Sequence, residues 1–358
     1  MTIPFRVIDT GVREGRWQIS LDQALIDLHR EGRVPDTVRF LRFEPSALVG
    51  RHQAVAHELK LDYCRANGIG IVRRVTGGGA IYLDPGQVGW EIVLSRKRLP
   101  MPSLADYTRA ICEAAAFGLS KAFAINAHFR PRNDIEVDGK KISGTGGFFD
   151  GDTLIYQGTV LVDVDASRMM SCLNVPEAKL KKRDLDKAEA RVTTLKALLG
   201  GEAPDVMAVQ QAILLGFATK LGITPQWSTL SEAETAETKR LYEQEIGTDE
   251  FVYSIDDPRG ADVFVGSRTG PGGTVSAYLR LEGEGAARRV REALVTGDFF
   301  ITPPRLVFDL EASLRGVPVA EIGEAVDRFF AARKPEMLSA APADFRLALE
   351  AAAGFAPA

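Results

Sequence analysis

The chain has 358 residues, 45% hydrophobic and 26% charged, which suits a soluble globular protein and is too long for one ordinary core, so two domains are expected. Its 44 basic and 48 acidic residues leave a net charge of −4, excluding a general nucleic-acid binder, which needs a basic field. The opening MTIPFRVIDTGVREGRW has no apolar run long enough for a signal peptide or a membrane span.

Three scattered cysteines (Cys64, Cys112, Cys172) without a CxxC pair cannot build a disulfide framework and point to a reducing compartment. Of the four histidines, His52 and His57 are five apart, which is not a helical metal pair, so no metal site is read from protein ligands. A soluble, cytoplasmic monomer is expected, with no nucleic-acid or membrane partner.

In chain order, Ser20 and Gln23 stand in capping-box spacing, and Leu21, Leu25 and Leu28 predict a helix over 20–31. TVRFLRF (37–43) predicts a strand, and GIGIVRRV (68–75) another that runs into three glycines. QVGWEIVLS (87–95) alternates as a half-buried strand. A helix is predicted over 103–123, starting at Ser103 and Asp106. NDIEVDGKKISG (133–144) predicts a hairpin around Asp138-Gly139. A strand over 153–164 and an amphipathic helix over 205–222 follow. Hairpins among irregularly placed helices indicate an α+β fold with mixed and antiparallel sheets, not a doubly wound one.

The stretch 224–240 is polar and weakly patterned, and a boundary is placed after it, giving domains 1–248 and 249–358. The second domain reads as an antiparallel meander over 251–282 with a glycine-rich surface turn, SRTGPGGTV. Helices at 286–295 and 318–332 are predicted next, then an Ala-rich tail ending as a frayed helix.

Three stretches carry chemical signals. RRVTGGGAIYLD (73–84) puts two arginines before three glycines. One glycine suffices for a turn; three let backbone N–H groups approach a ligand, and the arginines imply an anion. Neither a Walker phosphate loop nor a dinucleotide fingerprint is present. PRNDIEVDGKKISGTGG (131–147) puts Lys140 and Lys141 side by side on a strand, facing opposite ways, before a second glycine-rich run. KLKKRDLDKAEARVTTLKALL (179–199) opens with five basic residues between Lys179 and Lys187, either a solvated face or a segment over a phosphate site.

In that order, RRVTGGGAIYLD, RNDIEVDGKKISG and ARVTTLKALL resemble the lipoate–protein ligase A family over residues 5 to about 222, and more loosely to 335. The resemblance implies a catalytic domain (1–248) related to biotin protein ligases and a smaller accessory domain (249–358). It further implies activation of lipoate or octanoate by Mg²⁺-ATP to an acyl-adenylate. Transfer to a lysine of a carrier protein would follow, the carrier being a lipoyl domain or a glycine-cleavage H-like protein. By the resemblance Lys141 is the catalytic lysine. Arg74, Thr76, Gly77, Gly78, Gly79, Ala80, Ile81, Tyr82, Asn133 and Asp134 join it around ATP and the acyl-adenylate, with Asp134 a Mg²⁺ contact. The run 179–187 matches a mobile segment over the adenylate.

The chain departs from the family pattern at Leu83, Gln87 and Phe148, which bears on the contacts to adenine and acyl tail. A related alternative is an ATP-independent octanoyl or lipoyl transferase. Those transferases that use a cysteine nucleophile place it just before the hairpin or after the SG run, and NAHFRPRND and SGTGGFFDG contain none. A non-catalytic binder of lipoate or its adenylate would hardly need a cation at the reacting centre.

Overall fold

The structure is a computed structural model describing residues 3–174, 191–256, 258, 260–270 and 273–354. The basic run 179–187 lies outside the described residues.

The chain begins with β1 (Ile3–Arg13), α1 (Gly15–Arg30), β2 (Thr37–Phe43), β3 (Ser46–Val49), α2 (Val55–Glu58) and α3 (Leu61–Ala66). It continues through β4 (Gly70–Arg73), β5 (Ile81–Leu83), β6 (Gln87–Ser95) and α4 (Leu104–Phe123). The hairpin strands are β7 (Ala127–Arg130), β8 (Asp134–Val137), β9 (Lys140–Asp150) and β10 (Thr153–Leu161). Then come α5 (Ala166–Cys172), α6 (Leu195–Leu198), α7 (Val206–Leu221), β11 (Ile223–Trp227), α8 (Glu232–Gln244) and α9 (Asp249–Val252).

Eight strands form one sheet in the order β11-β1-β2-β6-β10-β9-β8-β7. β1 is parallel to β2 and β11, and the remaining pairs are antiparallel. Alternation along the strands builds two cores. Trp90, Tyr156 and Phe149 face α4 and α7, whereas Leu41, Val93, Ile155 and Phe148 face α1 and α8. A second sheet, β4-β3-β5, covers a smaller core holding Cys64, Tyr82, Cys172 and Val252.

The accessory region has its own core around Phe299, Phe330 and Phe345. It is built from β12 (Val263–Gly270), β13 (Gly273–Glu282), β14 (Arg289–Gly297), β15 (Ile301–Thr302), α10 (Leu306–Ser313), α11 (Ile322–Arg333), β16 (Glu336–Met337) and α12 (Pro342–Ala352).

Most predicted elements are present, and the departures have local causes. The α1 helix starts five residues before Ser20, because Glu14 caps it through the N–H groups of Arg16 and Trp17, both at 3.0 Å. Ser20 lies inside the helix and donates to the Arg16 carbonyl at 2.8 Å. Residues 224–240 form β11 and most of α8, the latter opened by a Ser231/Glu234 capping box. Residues 289–297 are a strand, not a helix, since pairing with β13 buries Val290 and Val295 and overrides local helix propensity. The Ala-rich tail forms α12, which Phe345 and Leu349 anchor in the core, and its last residues, 355–358, lie outside the described residues.

Candidate active site around two glycine runs

The two arginines at the end of β4 do different work. Arg73 is fully buried and spends its guanidinium on carbonyls. Nη1 donates to Gln53 at 2.7 Å and Gly50 at 3.1 Å, and Nε to Val252 at 3.0 Å and Phe251 at 3.1 Å. Arg73 therefore ties β4 to α9. Arg74 folds back over the glycine loop, donating to the carbonyls of Gly79 at 2.8 Å and Gly77 at 3.1 Å. Among the described residues no carboxylate forms an ion pair with it, and burial pulls it down from 12.5 to about 10, with Asp22 opposing. A buried cation whose side-chain hydrogen bonds all go to neutral carbonyls is poised for an anion.

Gly77 and Gly78 are buried, and their bare main chain meets the accessory region. The Gly78 N–H donates to the Phe299 carbonyl at 3.0 Å. A Cβ on Gly77 would overlap that carbonyl oxygen. On Gly78, at φ +92°, it would stand 2.6 Å from Phe300 Cζ. Gly79 is looser, with Asp298 Cβ 3.5 Å from the equivalent position. Thr76 is buried and its carbonyl accepts from the Arg51 N–H at 2.9 Å. Ala80 and Ile81 are part-exposed at the start of β5, and the Tyr82 ring turns into the small core. The three departures from the family pattern have structural places here. Gln87 donates to the Tyr82 carbonyl at 3.0 Å, and Leu83 and Phe148 fill the α1 core.

The hairpin turns at Asp138 (φ 51°) and Gly139 (φ 77°), the primed turn that this dipeptide favours. Ile135 pairs with Ser143 but Glu136 pairs with Lys141, so Ile142 is a bulge residue and is buried. Lys140 is exposed, and Lys141 is partly covered. Lys141 Nζ lies 2.7 Å from Asp134 Oδ1 and 2.7 Å from where a Gly144 Cβ would stand, so the ammonium lies along bare backbone. Asp134 also receives Arg130. Asn133 faces inward, its amide donating to the Thr145 carbonyl while the Thr145 N–H and hydroxyl donate back at 2.9 and 2.7 Å. The third motif joins here: the Lys141 N–H donates to the Arg191 carbonyl at 2.8 Å, and the Thr193 N–H to the Lys141 carbonyl at 2.9 Å.

One ring links the two glycine runs. Phe300 sits against Gly78 and also against Gly146, where a Cβ would overlap its Cε1 and Cζ. Gly146 ends a cross-strand row running Arg39, Glu91, Gln157, Gly146. The first three form a network with Asp22 from α1, in which Arg39, Glu91 and Asp22 are buried and Gln157 is half-buried. Arg39 Nη1 donates to Asp22 at 2.7 Å and Glu91 at 2.9 Å, and the Gln157 amide donates to the same two carboxylates at 2.6 and 2.8 Å. Burial and the Glu91 charge push the Asp22 carboxyl well up. Arg39 and Glu91, which escaped the sequence reading, are fully buried charges inside strands; Glu91 is the one charge of β6, whereas β2 carries both Arg39 and Arg42, so position alone does not single Arg39 out.

Among the described residues no group of three or more His, Cys, Asp or Glu is arranged to hold a metal ion. All three cysteines are buried. Cys64 and Cys172 lie in the small core. Cys112 approaches the Thr145 hydroxyl at 3.3 Å from the α4 side, opposite Gly146 and Phe300, and burial raises its thiol to about 11.

The family model of the lipoyl protein ligase A/B catalytic domain matches residues 14–218. The chain is 29% identical over 273 residues to octanoyltransferase LipM of Symbiobacterium thermophilum, covering 70% of this chain and 98% of that one. It is 26% identical over 246 residues to lipoate-protein ligase A subunit 1 of Thermoplasma acidophilum, covering 66% and 91%. Its fold is similar to that of P. falciparum LipL1, solved in complex with lipoate, with a TM-score of 0.70 at 17% identity over 92% of this chain and 94% of that one. With more than half of its length matched by that family, the chain belongs to the lipoyl protein ligase A/B catalytic-domain family, alongside lipoate–protein ligases and octanoyltransferases.

Proposed function

We propose that the chain is an ATP-dependent lipoate–protein ligase. The acid's carboxylate attacks the α-phosphorus of ATP, expelling pyrophosphate and leaving an acyl-adenylate. A carrier lysine then attacks the acyl carbon and AMP departs. The first step brings two anions together, and fixed cations and N–H donors at that point lower its barrier. Lys141, beside Gly144, takes this role, with Arg74 behind the glycine loop and the main chain of Gly79, Ala80 and Ile81 facing the nucleotide. Thr76, Gly77 and Gly78 shape that loop, Tyr82 anchors its far end, and Asn133 braces the strand that carries Lys141. Magnesium would travel on the nucleotide's phosphates. Asp134 is the carboxylate nearest Lys141, and it would reach the ion by exchanging its contacts with Lys141 and Arg130. The acceptor is a lipoyl domain or an H-like carrier.

The observation that carries this reading is the placement of the thiols. A transferase that works through a cysteine nucleophile needs that thiol accessible near the hairpin, and the three cysteines of this chain are buried in cores. The similarity to LipM enzymes supports the transferase as the second reading. Lipoate-dependent exchange of labelled pyrophosphate into ATP separates the two. The wild type should exchange, and Lys141→Ala should reduce exchange by about 10²–10³-fold, the scale of losing one preorganised donor at the reacting centre, with an unchanged melting curve. Cys112→Ala should exchange normally. Octanoyl transfer between carriers without ATP, abolished by Cys112→Ala, would establish the transferase instead.

A further inference from the structure

Phe300 lies between the two glycine runs that the ligase reading gives to its substrates. The triplet supplies one wall of bare main chain at Gly78 and the SGTGG run supplies another at Gly146, and the phenyl ring fills the gap so closely that a methyl group on either wall would collide with it. The ring comes from the accessory region, between the core residue Phe299 and β15, and its backbone is fixed there: the Phe300 N–H donates to Ser339 Oγ at 3.1 Å, and the Phe300 carbonyl accepts from the Leu338 N–H at 3.4 Å. A slot with two naked walls, opening beside Arg74 and on the strand that carries Lys141, suits a slender hydrocarbon chain whose carboxylate meets the cations. Ring and chain cannot occupy it together.

We propose that Phe300 is an internal competitor of the acid substrate: its ring occupies the slot between Gly78 and Gly146 through which the acyl chain passes, and residue 300 thereby sets acid affinity and chain preference. This rests on the ligase reading above. The consequence has an unusual sign. A side chain that lines a substrate pocket loses contacts when truncated, so affinity falls. A side chain that competes with substrate reduces apparent affinity by the fraction of molecules in which the slot is open, and truncation restores that factor.

The test is equilibrium binding of octanoate, and of hexanoate and decanoate for chain preference, to the full chain by isothermal titration calorimetry. Phe300→Ala should bind octanoate about tenfold more tightly than wild type, corresponding to an open fraction of about one tenth in the wild type. It should also improve decanoate binding more than hexanoate binding. Phe300→Trp should bind all three more weakly. Phe300→Leu, which keeps an apolar anchor in the accessory region, should fall between alanine and wild type and guards against a folding defect in the alanine variant. Unchanged or weaker octanoate binding by folded Phe300→Ala and Phe300→Leu would overturn the proposal and make residue 300 a simple anchor or a pocket wall. If wild type and both variants bind no acid with or without ATP, the ligase reading fails and takes this proposal with it.

Discussion

At the level of single residues, three adjacent glycines are entropically costly, and the structure distributes the reasons unequally. Gly77 is pressed by a backbone carbonyl and Gly78 by an aromatic ring at a positive φ, whereas Gly79 has ordinary room. Gly77→Ala should therefore destabilise by about 1–3 kcal/mol, as overpacking against an unyielding main chain does. Gly79→Ala should change stability by under about 0.5 kcal/mol, the range of unconstrained substitutions. Urea denaturation of both variants checks this, and equal losses would contradict it. The glycines were visible in the sequence, and so was the need for a close neighbour. That the neighbour includes Phe299 and Phe300, more than two hundred residues downstream, was not, because no local periodicity encodes a contact at that separation.

Among the elements, Arg73 illustrates how one side chain can join two segments. Its guanidinium takes carbonyls from the loop after β3 and from α9, and α9 has only four residues, too few to be stable alone. Replacing Arg73 by Met keeps the apolar stem and removes the donors. The carbonyls left unmet should cost about 3 kcal/mol, since hydrogen bonds to charged groups are the stronger ones, and residues 249–255 should become the first site of limited proteolysis. Retained protease resistance there would show that α9 is held by its apolar contacts. The long amphipathic helices, the alternating strands and the Asp138-Gly139 hairpin were legible because their signals are local. The strand at 289–297 was not, since its partner decides its conformation. The Arg39–Glu91–Gln157 row was also hidden, because only the pairing of β2, β6 and β10 puts the three side by side.

For the molecule as a whole, His52 links proton concentration to the joint between the two regions. Its ring stacks on Phe299 with centroids 5.3 Å apart, and its carbonyl accepts the Gly297 N–H at 3.0 Å. Neither ring nitrogen has a hydrogen-bond partner among the described residues. Burial, with Arg51 and Arg73 nearby, lowers it from 6.5 to about 3. The fold therefore holds the neutral imidazole, and a depressed basic group contributes stability that is intact above about pH 6.5 and lost as the pH falls toward 3, by up to about 1.4 kcal/mol per unit. His52→Phe keeps the stacking and should flatten this part of the profile. Parallel melting-temperature curves for wild type and His52→Phe between pH 7 and 4 would refute the assignment.

β1 lies between β2 and β11, so residues 3–7 are aligned with 223–227. During synthesis the first strand can pair with β2 early, yet its other edge stays open until residue 227 has left the ribosome. The central sheet thus cannot be completed from its N-terminal portion alone, and a nascent chain carries an unpaired β-edge through most of its translation, the kind of exposed edge that invites association with other chains and chaperone attention.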